Sequence, residues 1–308
     1  MPDEELERFK RQIRLHEYAA SLGYELDQRD SSRREIVMRR ADDKISVRMD
    51  ADGHYVYYSF RNAKDNGTII DFAMSRQNKT MGEARKALRL WVGVARIQMY
   101  APLEAAPRFD RNAVLAEYRA MKDLHWHHWL EQERALPRPV LLSPRFKGRI
   151  KVDGRANVIF PHEDETGVCG FEKRNRFFKG FADLGRKSLW RSAHFDGDAQ
   201  FVIGESAIDC LSHAALFPAP HARYTSFAGG MSEDQVAFLA KECRGLPEGS
   251  EVVCITHPDA DGERYAEIIR SAAGPLPFRL HQPSGVKDWN DYLQQAQASR
   301  LHSFPAVR

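Results

Sequence analysis

The chain has 308 residues, of which 43% are hydrophobic and 29% are charged, a composition typical of a globular protein of roughly two domains. Its 46 basic and 43 acidic residues leave a net charge of +3. No apolar run approaches the roughly 18 residues of a membrane helix, and the N-terminus is charged where a signal peptide would be apolar. These features exclude a membrane partner, and we expect a cytoplasmic protein.

Residues 1–100 have the pattern of a small α+β unit. An amphipathic helix is predicted from Glu4 to Leu22, and two later helical patterns end near Trp91. Alternating apolar residues predict three strands between them, at Ile36–Met38, Ile45–Val47 and Tyr55–Phe60. A linker at Ala101–Pro107 then opens a connector, residues 101–144, which has a helical pattern from 110 to 135.

Residues 145–199 form a basic segment of short predicted strands and glycine turns. Between Arg145 and Arg191, twelve Lys and Arg residues stand against six Asp and Glu residues. The balance reverses between Gln200 and Gln295, where seven basic residues stand against thirteen acidic ones. This partition favours a phosphate-binding surface beside a metal-binding one, although chance segregation of solvated charge would give the same counts.

Residues 200–298 alternate between short apolar strands and amphipathic helices, and residues 299–308 read as a tail. The predicted strands are Phe201–Gly204, Arg223–Phe227, Glu251–Thr256 and Phe278–Leu280. The predicted helices are Ala207–Phe217, Glu233–Cys243 and Glu263–Ala272. Such alternation indicates an α/β domain with a Rossmann-like parallel sheet and helices on both faces, preceded by small α+β subdomains.

Carboxylates follow two of these predicted strands. Glu205 comes directly after the first strand with Asp209 one helical turn later, and Asp259 and Asp261 follow the third strand. Functional groups of open α/β sheets gather at the carboxyl ends of the strands, where clustered carboxylates favour a bound Mg²⁺ or Mn²⁺. Taken one at a time, each carboxylate also fits a structural role at a helix N-terminus or an Asp-rich turn.

In this order, the motifs resemble the Toprim domain of bacterial primases, topoisomerases and certain nucleases. Gly204-Glu205-Ser206-Ala207-Ile208-Asp209 matches its glutamate element, and Asp259-Ala260-Asp261 matches its D-x-D element. The glycine turn at Gly229 and Gly230 and the Lys287-Asp288 element complete the set. A topoisomerase would also need a separate strand-passing domain with a catalytic tyrosine, for which 308 residues leave no room.

The resemblance extends upstream of residue 200. Asn157–Pro161, Gly167–Phe171 and Gly185–Trp190 are similar to landmarks of the basic subdomain that precedes Toprim in primases and guides the template strand. Tyr55–Phe72 is similar to the second half of a primase zinc ribbon, but the metal-binding cysteines and histidines are missing there. We therefore expect no zinc. The whole arrangement resembles Toprim proteins carried by plasmids and integrative elements.

The resemblance implies a site and a set of partners. Mg²⁺ or Mn²⁺ would bind at Asp259 and Asp261, with a second ion at Glu205 and Asp209, and Glu205 would otherwise serve as a general acid or base. Single-stranded or primed DNA, nucleotides, and replication or conjugation proteins are the implied partners. The expected nucleic-acid contacts are the basic residues that stand near aromatic ones in the sequence, together with Arg186 and Lys187. The full set is Arg145, Lys147, Arg149, Lys173, Arg174, Arg176, Lys179, Arg186 and Lys187.

Three functions remain open from the sequence. The first is primase-like nucleotidyl or phosphoryl transfer on DNA, with a 3′-hydroxyl as the attacking group. The second is a metal-dependent nuclease of the same fold, in which water attacks. The third is a non-catalytic DNA-binding accessory protein of plasmid replication or transfer, in which the basic segment binds DNA and the Toprim site no longer reacts. Separately, the phenylalanines of the basic segment also fit a core with solvated charges beside it.

Overall fold

A computed structural model describes residues 3–62, 65–92, 103 and 108–302, and the chain divides into two compact units between Arg108 and Phe109. The predicted linker Ala101–Pro107 lies outside the described residues except for Leu103, as does the tail beyond residue 302. Each unit is described by itself.

The first unit is an antiparallel sheet packed against four helices. Its strands lie in the order β1-β2-β3-β4-β5, with bounds Glu25–Leu26, Glu35–Arg40, Asp43–Met49, Tyr55–Ser59 and Asn66–Thr68. Its helices are α1 Glu4–Gln12, α2 Leu15–Ser21, α3 Ile69–Gln77 and α4 Met81–Arg89. The single helix predicted from Glu4 to Leu22 is wrong, because Ile13 and Arg14 adopt extended backbone between α1 and α2.

The second unit begins with another antiparallel sheet, in the order β10-β9-β8-β7-β6. Its strands are β6 Lys122–Asp123, β7 Lys151–Val152, β8 Val158–Asp164, β9 Gly167–Arg174 and β10 Lys179–Phe181. Helix α5 (Arg111–Arg119) packs on β9, and a π-helical turn at Trp129–Glu133 and the short helix α6 (Arg138–Leu141) follow. The helical pattern predicted through residue 135 therefore stops at Arg119, since β6 pairs with β7 in the sheet.

The C-terminal sheet has the order β11-β13-β12-β14-β15, in which β12 to β15 are parallel and β11 is an antiparallel edge strand. Its strands are β11 Trp190–Arg191, β12 Gln200–Gly204, β13 Ala222–Ser226, β14 Glu251–Cys254 and β15 Phe278–Leu280. The helices are α7 Ala207–Leu216, α8 Glu233–Arg244, α9 Ala260–Ala273 and α10 Trp289–His302. The predicted α/β class and parallel sheet are confirmed.

Successive residues of β12 point into two different cores, because side chains alternate between the faces of a strand. Val202 packs with α7 and with Trp289 of α10, whereas Phe201 and Ile203 pack with residues of α8 and α9. Both faces of the sheet are therefore covered by helices, and the functional groups are left to the strand ends. The helices in the described part of the chain are all too short or too polar to span a bilayer.

Candidate functional site

Four ionisable side chains converge at the carboxyl edge of the C-terminal sheet. Glu205 directly follows β12, and Asp209 lies in the first turn of α7. His257 lies between β14 and α9, and Asp288 immediately precedes α10. Because β12 and β14 are neighbouring parallel strands, their carboxyl ends bring these groups together.

His257 lies at the centre of this group. Its backbone N–H donates to Glu205 Oε1 at 2.8 Å, and its Nε2 lies 3.3 Å from Asp209 Oδ2. One ligand atom each from Asp209, His257 and Asp288 can be chosen so that all three lie within 4.8 Å of one another. Within the described part of the chain, no other His, Cys, Asp or Glu side chains form such a set of three or more.

The charges of these groups are strongly coupled. Burial acts to lower the pKa of His257, but the hydrogen bond to Asp209 and the nearby carboxylates of Glu205 and Asp288 raise it to about 9. Burial, with repulsion from Asp209 among the smaller causes, raises the pKa of both Glu205 and Asp288 above its ordinary value. Three carboxyl groups thus lie around one histidine in a partly buried place, where a bound cation would stabilise their charged forms.

The loop that carries His257 is fixed by backbone contacts. Gln282 Nε2 donates to the His257 carbonyl at 2.8 Å. Gly262, in the first turn of α9, packs so closely on the same carbonyl that a Cβ at this position would overlap it. Glycine is therefore required at this position to keep the imidazole at the sheet edge.

Asp259 and Asp261, the predicted metal ligands, are not members of the Asp209–His257–Asp288 set, although Asp259 lies near enough to Glu205 to contribute to its raised pKa. Asp259 is exposed and caps α9, where its Oδ1 accepts from the Gly262 N–H at 2.8 Å. The Asp261 side chain is 73% exposed and pairs with Arg264 Nη2 at 2.7 Å. Of the four predicted metal ligands, the structure brings Glu205 and Asp209 together around His257, and their ligation of a metal stays a prediction.

The glycine turn connects the site with the basic segment. The Gly229 N–H donates to the Glu205 carbonyl at 3.2 Å, with Gly229 at a φ of +88°. Lys187 Nζ donates to the Gly230 carbonyl at 2.5 Å. Burial and the nearby Lys179 lower the pKa of Lys187 to about 8. A cation from the basic segment therefore lies at the carboxyl edge of the neighbouring sheet.

The predicted nucleic-acid contacts differ in how accessible they are. Arg145 is buried and donates to both carboxylate oxygens of Asp198 at 2.6 Å, so its guanidinium is not available to a phosphate. Arg174 is only 19% exposed. Several others pair with carboxylates: Arg149 with Glu163, Lys173 with Glu117, Arg176 with Glu133, and Arg186 with Asp164.

Several cations still face solvent, including two of the paired arginines. Arg176, Lys179 and Arg186 have side chains that are 63%, 60% and 48% exposed. Lys147 and Lys287 are also exposed. Arg176, Lys179, Arg186 and Lys147, with the partly buried Lys187, are the predicted nucleic-acid contacts that can reach a phosphate, whereas Lys287 belongs to the Lys287-Asp288 element.

Two family models match parts of the second unit. Residues 202–293 match a family model described as Toprim-like, and this range contains Glu205, Asp209, His257 and Asp288. The chain carries a Toprim-like domain. Residues 128–199, just before it, match a family described as a protein of unknown function (DUF3991). The Toprim resemblance of the sequence is thus confirmed, and no curated protein matches the chain.

Solved structures show distant similarity to the chain. One is the primase fragment of the bacteriophage T7 primase-helicase protein, with 14% identity, a TM-score of 0.44, and coverage of 83% of this chain and 92% of that one. Another comes from the T7 lagging-strand DNA polymerase interacting with primase domains of two gp4 subunits bound to an RNA/DNA hybrid and dTTP. It has 17% identity, a TM-score of 0.38, and coverage of 55% of this chain and 86% of that one.

Proposed function

We propose that this chain is a primase-like Toprim protein that acts on single-stranded or primed nucleic acid with a divalent metal ion. The observation that carries the proposal is the convergence of Glu205, Asp209, His257 and Asp288 at the carboxyl edge of the Toprim-like domain. Lys187 supports it by bringing a cation to the same edge. The site thus has groups for a metal ion and for a phosphate.

The residues present fit a divalent metal ion. Asp209, His257 and Asp288 offer two carboxylates and one imidazole within 4.8 Å of one another, and Glu205 lies against His257. Because the pKa of His257 is raised to about 9, its imidazole would release a proton on ligating the ion. Carboxylates suit both Mg²⁺ and Mn²⁺, and an imidazole among the ligands favours Mn²⁺ over Mg²⁺. When bound, the ion would neutralise phosphate charge and lower the pKa of an attacking hydroxyl or water. Asp259 could add a further ligand, because its cap on α9 uses Oδ1 and leaves Oδ2 available.

Glu205 is the residue that we propose as general base. Burial raises its pKa towards neutrality, which suits a group that must accept and return a proton. Its Oε1 is held by the His257 N–H, and its backbone carbonyl accepts from Gly229. These contacts fix the carboxylate next to the proposed metal ligands.

A non-catalytic DNA-binding role is the second candidate, and one observation favours it. The two carboxylates of the D-x-D element are not members of the Asp209–His257–Asp288 set, and they have structural contacts instead, Asp259 as a helix cap and Asp261 in an ion pair with Arg264. In that case the protein would bind nucleic acid as an accessory factor of plasmid replication or transfer, without transferring any group.

The test supplies labelled single-stranded template with nucleotides, and separately intact labelled DNA, with Mg²⁺ or Mn²⁺ in both. Extension of the strand indicates synthesis, and shortening of the intact DNA indicates a metal-dependent nuclease. Glu205→Gln should abolish either reaction while leaving binding intact. The matched control is Asp234→Asn, an exposed carboxylate in the first turn of α8. Binding without any reaction in wild type would refute both enzyme functions and leave the accessory role.

A further inference from the structure

The hairpin between β9 and β10 projects an aromatic ring into solvent. Its strands pair up to Arg174 and Lys179, so the turn consists of residues 175–178. Phe177 lies in this turn and is 89% exposed. No other large apolar side chain among the described residues is exposed to this extent. A phenylalanine this exposed buries almost no apolar area in the fold, so its ring is free to contact a ligand.

The exposure of Phe177 is built into the turn. The Asn175 N–H donates to the Phe178 carbonyl at 2.9 Å, and Asn175 Oδ1 accepts from the Phe177 N–H at 2.7 Å. Asn175 Nδ2 also donates to Asn157 Oδ1 at 2.6 Å, which ties the turn to the start of β8. These hydrogen bonds fix the backbone of the turn, and the fixed backbone holds the ring of Phe177 in a position exposed to solvent.

A second ring lies beside the first. Phe178 is 48% exposed and lines a cleft of about 550 Å³ on the same sheet, with Lys173 and Phe181. Its ring crosses Gly180 so closely that a Cβ there would overlap it. Acidic residues also line this cleft, among them Asp153 and Asp183, so phosphates are expected at the hairpin rather than in the cleft.

Cations flank the exposed rings. The Arg176 guanidinium lies 5.2 Å from the ring centroid of Phe177, and its side chain is 63% exposed. Lys179 is 60% exposed at the first position of β10. Arg176 pairs with Glu133 at 3.3 Å, and Lys179 lies 3.8 Å from the buried Glu172. Both cationic side chains nevertheless stay more than half exposed, so each can also contact a phosphate.

We propose that the β9–β10 hairpin is a base-stacking platform for single-stranded nucleic acid, with an unpaired base on Phe177 and phosphates at Arg176 and Lys179. Every base has an aromatic face, so stacking on a projecting ring beside cations binds single strands without sequence preference. A duplex is a less suitable ligand, because its bases are already stacked on one another. A protein partner is less suitable as well, because a single ring lacks the apolar area of a protein interface. This inference rests on the proposed function, because it names where the strand of that function is held.

The experiment measures fluorescence anisotropy of labelled oligo(dT) with the full chain. Phe177→Ala should weaken binding roughly 5- to 100-fold, the effect of losing one base stack. Phe177→Trp should retain wild-type affinity, with quenching of its added emission by oligo(dT). Phe177→Leu, which keeps the apolar surface and loses the aromatic face, should bind as weakly as the alanine variant. Because Phe177 contributes nothing to a core, all three variants should fold, as circular dichroism would verify.

The matched control is Phe60→Ala, which removes another phenylalanine, 58% exposed and 4.5 Å from a lysine Nζ, in the first unit. Its affinity should equal that of wild type. If Phe177→Ala binds like wild type, or if Phe177→Leu does, stacking on the hairpin is refuted while nucleic-acid binding stands. If the wild-type chain binds no oligonucleotide at any salt concentration, the proposed function itself fails and the inference fails with it.

Discussion

The coupling of His257 to its carboxylates predicts a specific dependence of stability on pH. The pKa of His257 in the folded chain is about 9, against an ordinary value of 6.5. A group whose pKa is raised by folding stabilises the protein fully below its unfolded pKa. Its contribution is then lost as the pH rises through the folded value. The stabilising effect of His257 is therefore complete near pH 6 and disappears between pH 6.5 and about 9.

The size of the effect follows from the two pKa values. At 1.36 kcal/mol per pKa unit, the difference between 6.5 and about 9 corresponds to roughly 3 kcal/mol of unfolding free energy. The contribution of Lys187 to stability changes with pH in the opposite direction. Burial lowers its pKa to about 8, so the free-energy cost of burying its charge disappears as the pH rises. The net stability of the wild type therefore conceals the effect, and a difference from a variant is needed. His257→Gln removes the titrating group and keeps a side chain that hydrogen-bonds.

The assay is urea unfolding of wild type and His257→Gln from pH 6 to pH 10 in the presence of a chelator. Tryptophan emission reports mainly on the second unit, which contains four of the five tryptophans. The free-energy difference between the two proteins should shrink by roughly 3 kcal/mol over this range. A difference that stays constant from pH 6 to pH 10 would refute the coupling of His257 to the carboxylates.

Three further substitutions test other parts of the second unit. Arg145→Met should destabilise the protein by about 3–5 kcal/mol in urea unfolding, because Asp198 is left as an uncompensated buried charge; a change below 1 kcal/mol would mean that the pair is not buried in solution. Wild-type affinity for oligo(dT) should fall from pH 7 to pH 9.5 as Lys187 loses its charge. The slope of log affinity against log salt concentration should become smaller in magnitude by about 0.7, the effect of one lost phosphate contact. The Lys187→Arg variant should keep its affinity, and an equal fall in both would exclude this titration. Gly262→Ala should displace the His257 loop and destabilise the protein by about 1–3 kcal/mol, and unchanged stability would show that the loop yields freely.

The sequence predicts the C-terminal domain well because its elements have strong local signals. The strands from Phe201 and Glu251 are short apolar runs followed by helical periods, and the structure differs at their ends by only a few residues. Helix α10 and the edge strand β11 were not predicted. A two-residue strand such as Trp190–Arg191 carries no periodicity, and it exists because it pairs with β13.

The first unit and the connector show where tertiary context overrides local pattern. The residues from Glu4 to Leu22 have one helical period, yet the chain turns at Ile13 and Arg14 so that Phe9 and Leu15 both reach the core. Likewise, Lys122 and Asp123 lie in a helical pattern but form a strand, because β7 offers hydrogen-bonding partners.

The candidate site was predicted in part. Glu205 and Asp209 were expected at the sheet edge from their place after the first strand, and the structure brings them together there. His257 was missed, although it follows the third strand at the position where functional groups gather. The D-x-D element begins two residues later and matches a known motif, so the sequence pattern favoured Asp259 and Asp261 over His257. The pattern from Asp259 to Gly262 also fits a helix cap, and this is the role that Asp259 has in the structure.

In the proposed function, the carboxyl edge of the Toprim-like domain binds a divalent cation. Binding can be measured by calorimetric titration of Mn²⁺ into the wild type, with Mg²⁺ in parallel. We predict binding that is abolished in Asp209→Asn/Asp288→Asn, retained in Asp259→Asn/Asp261→Asn, and unchanged in the control Asp234→Asn. Loss of binding only in the Asp259 and Asp261 variant would assign the metal to the D-x-D element instead. Negligible heat in the wild type with both metals would contradict the claim.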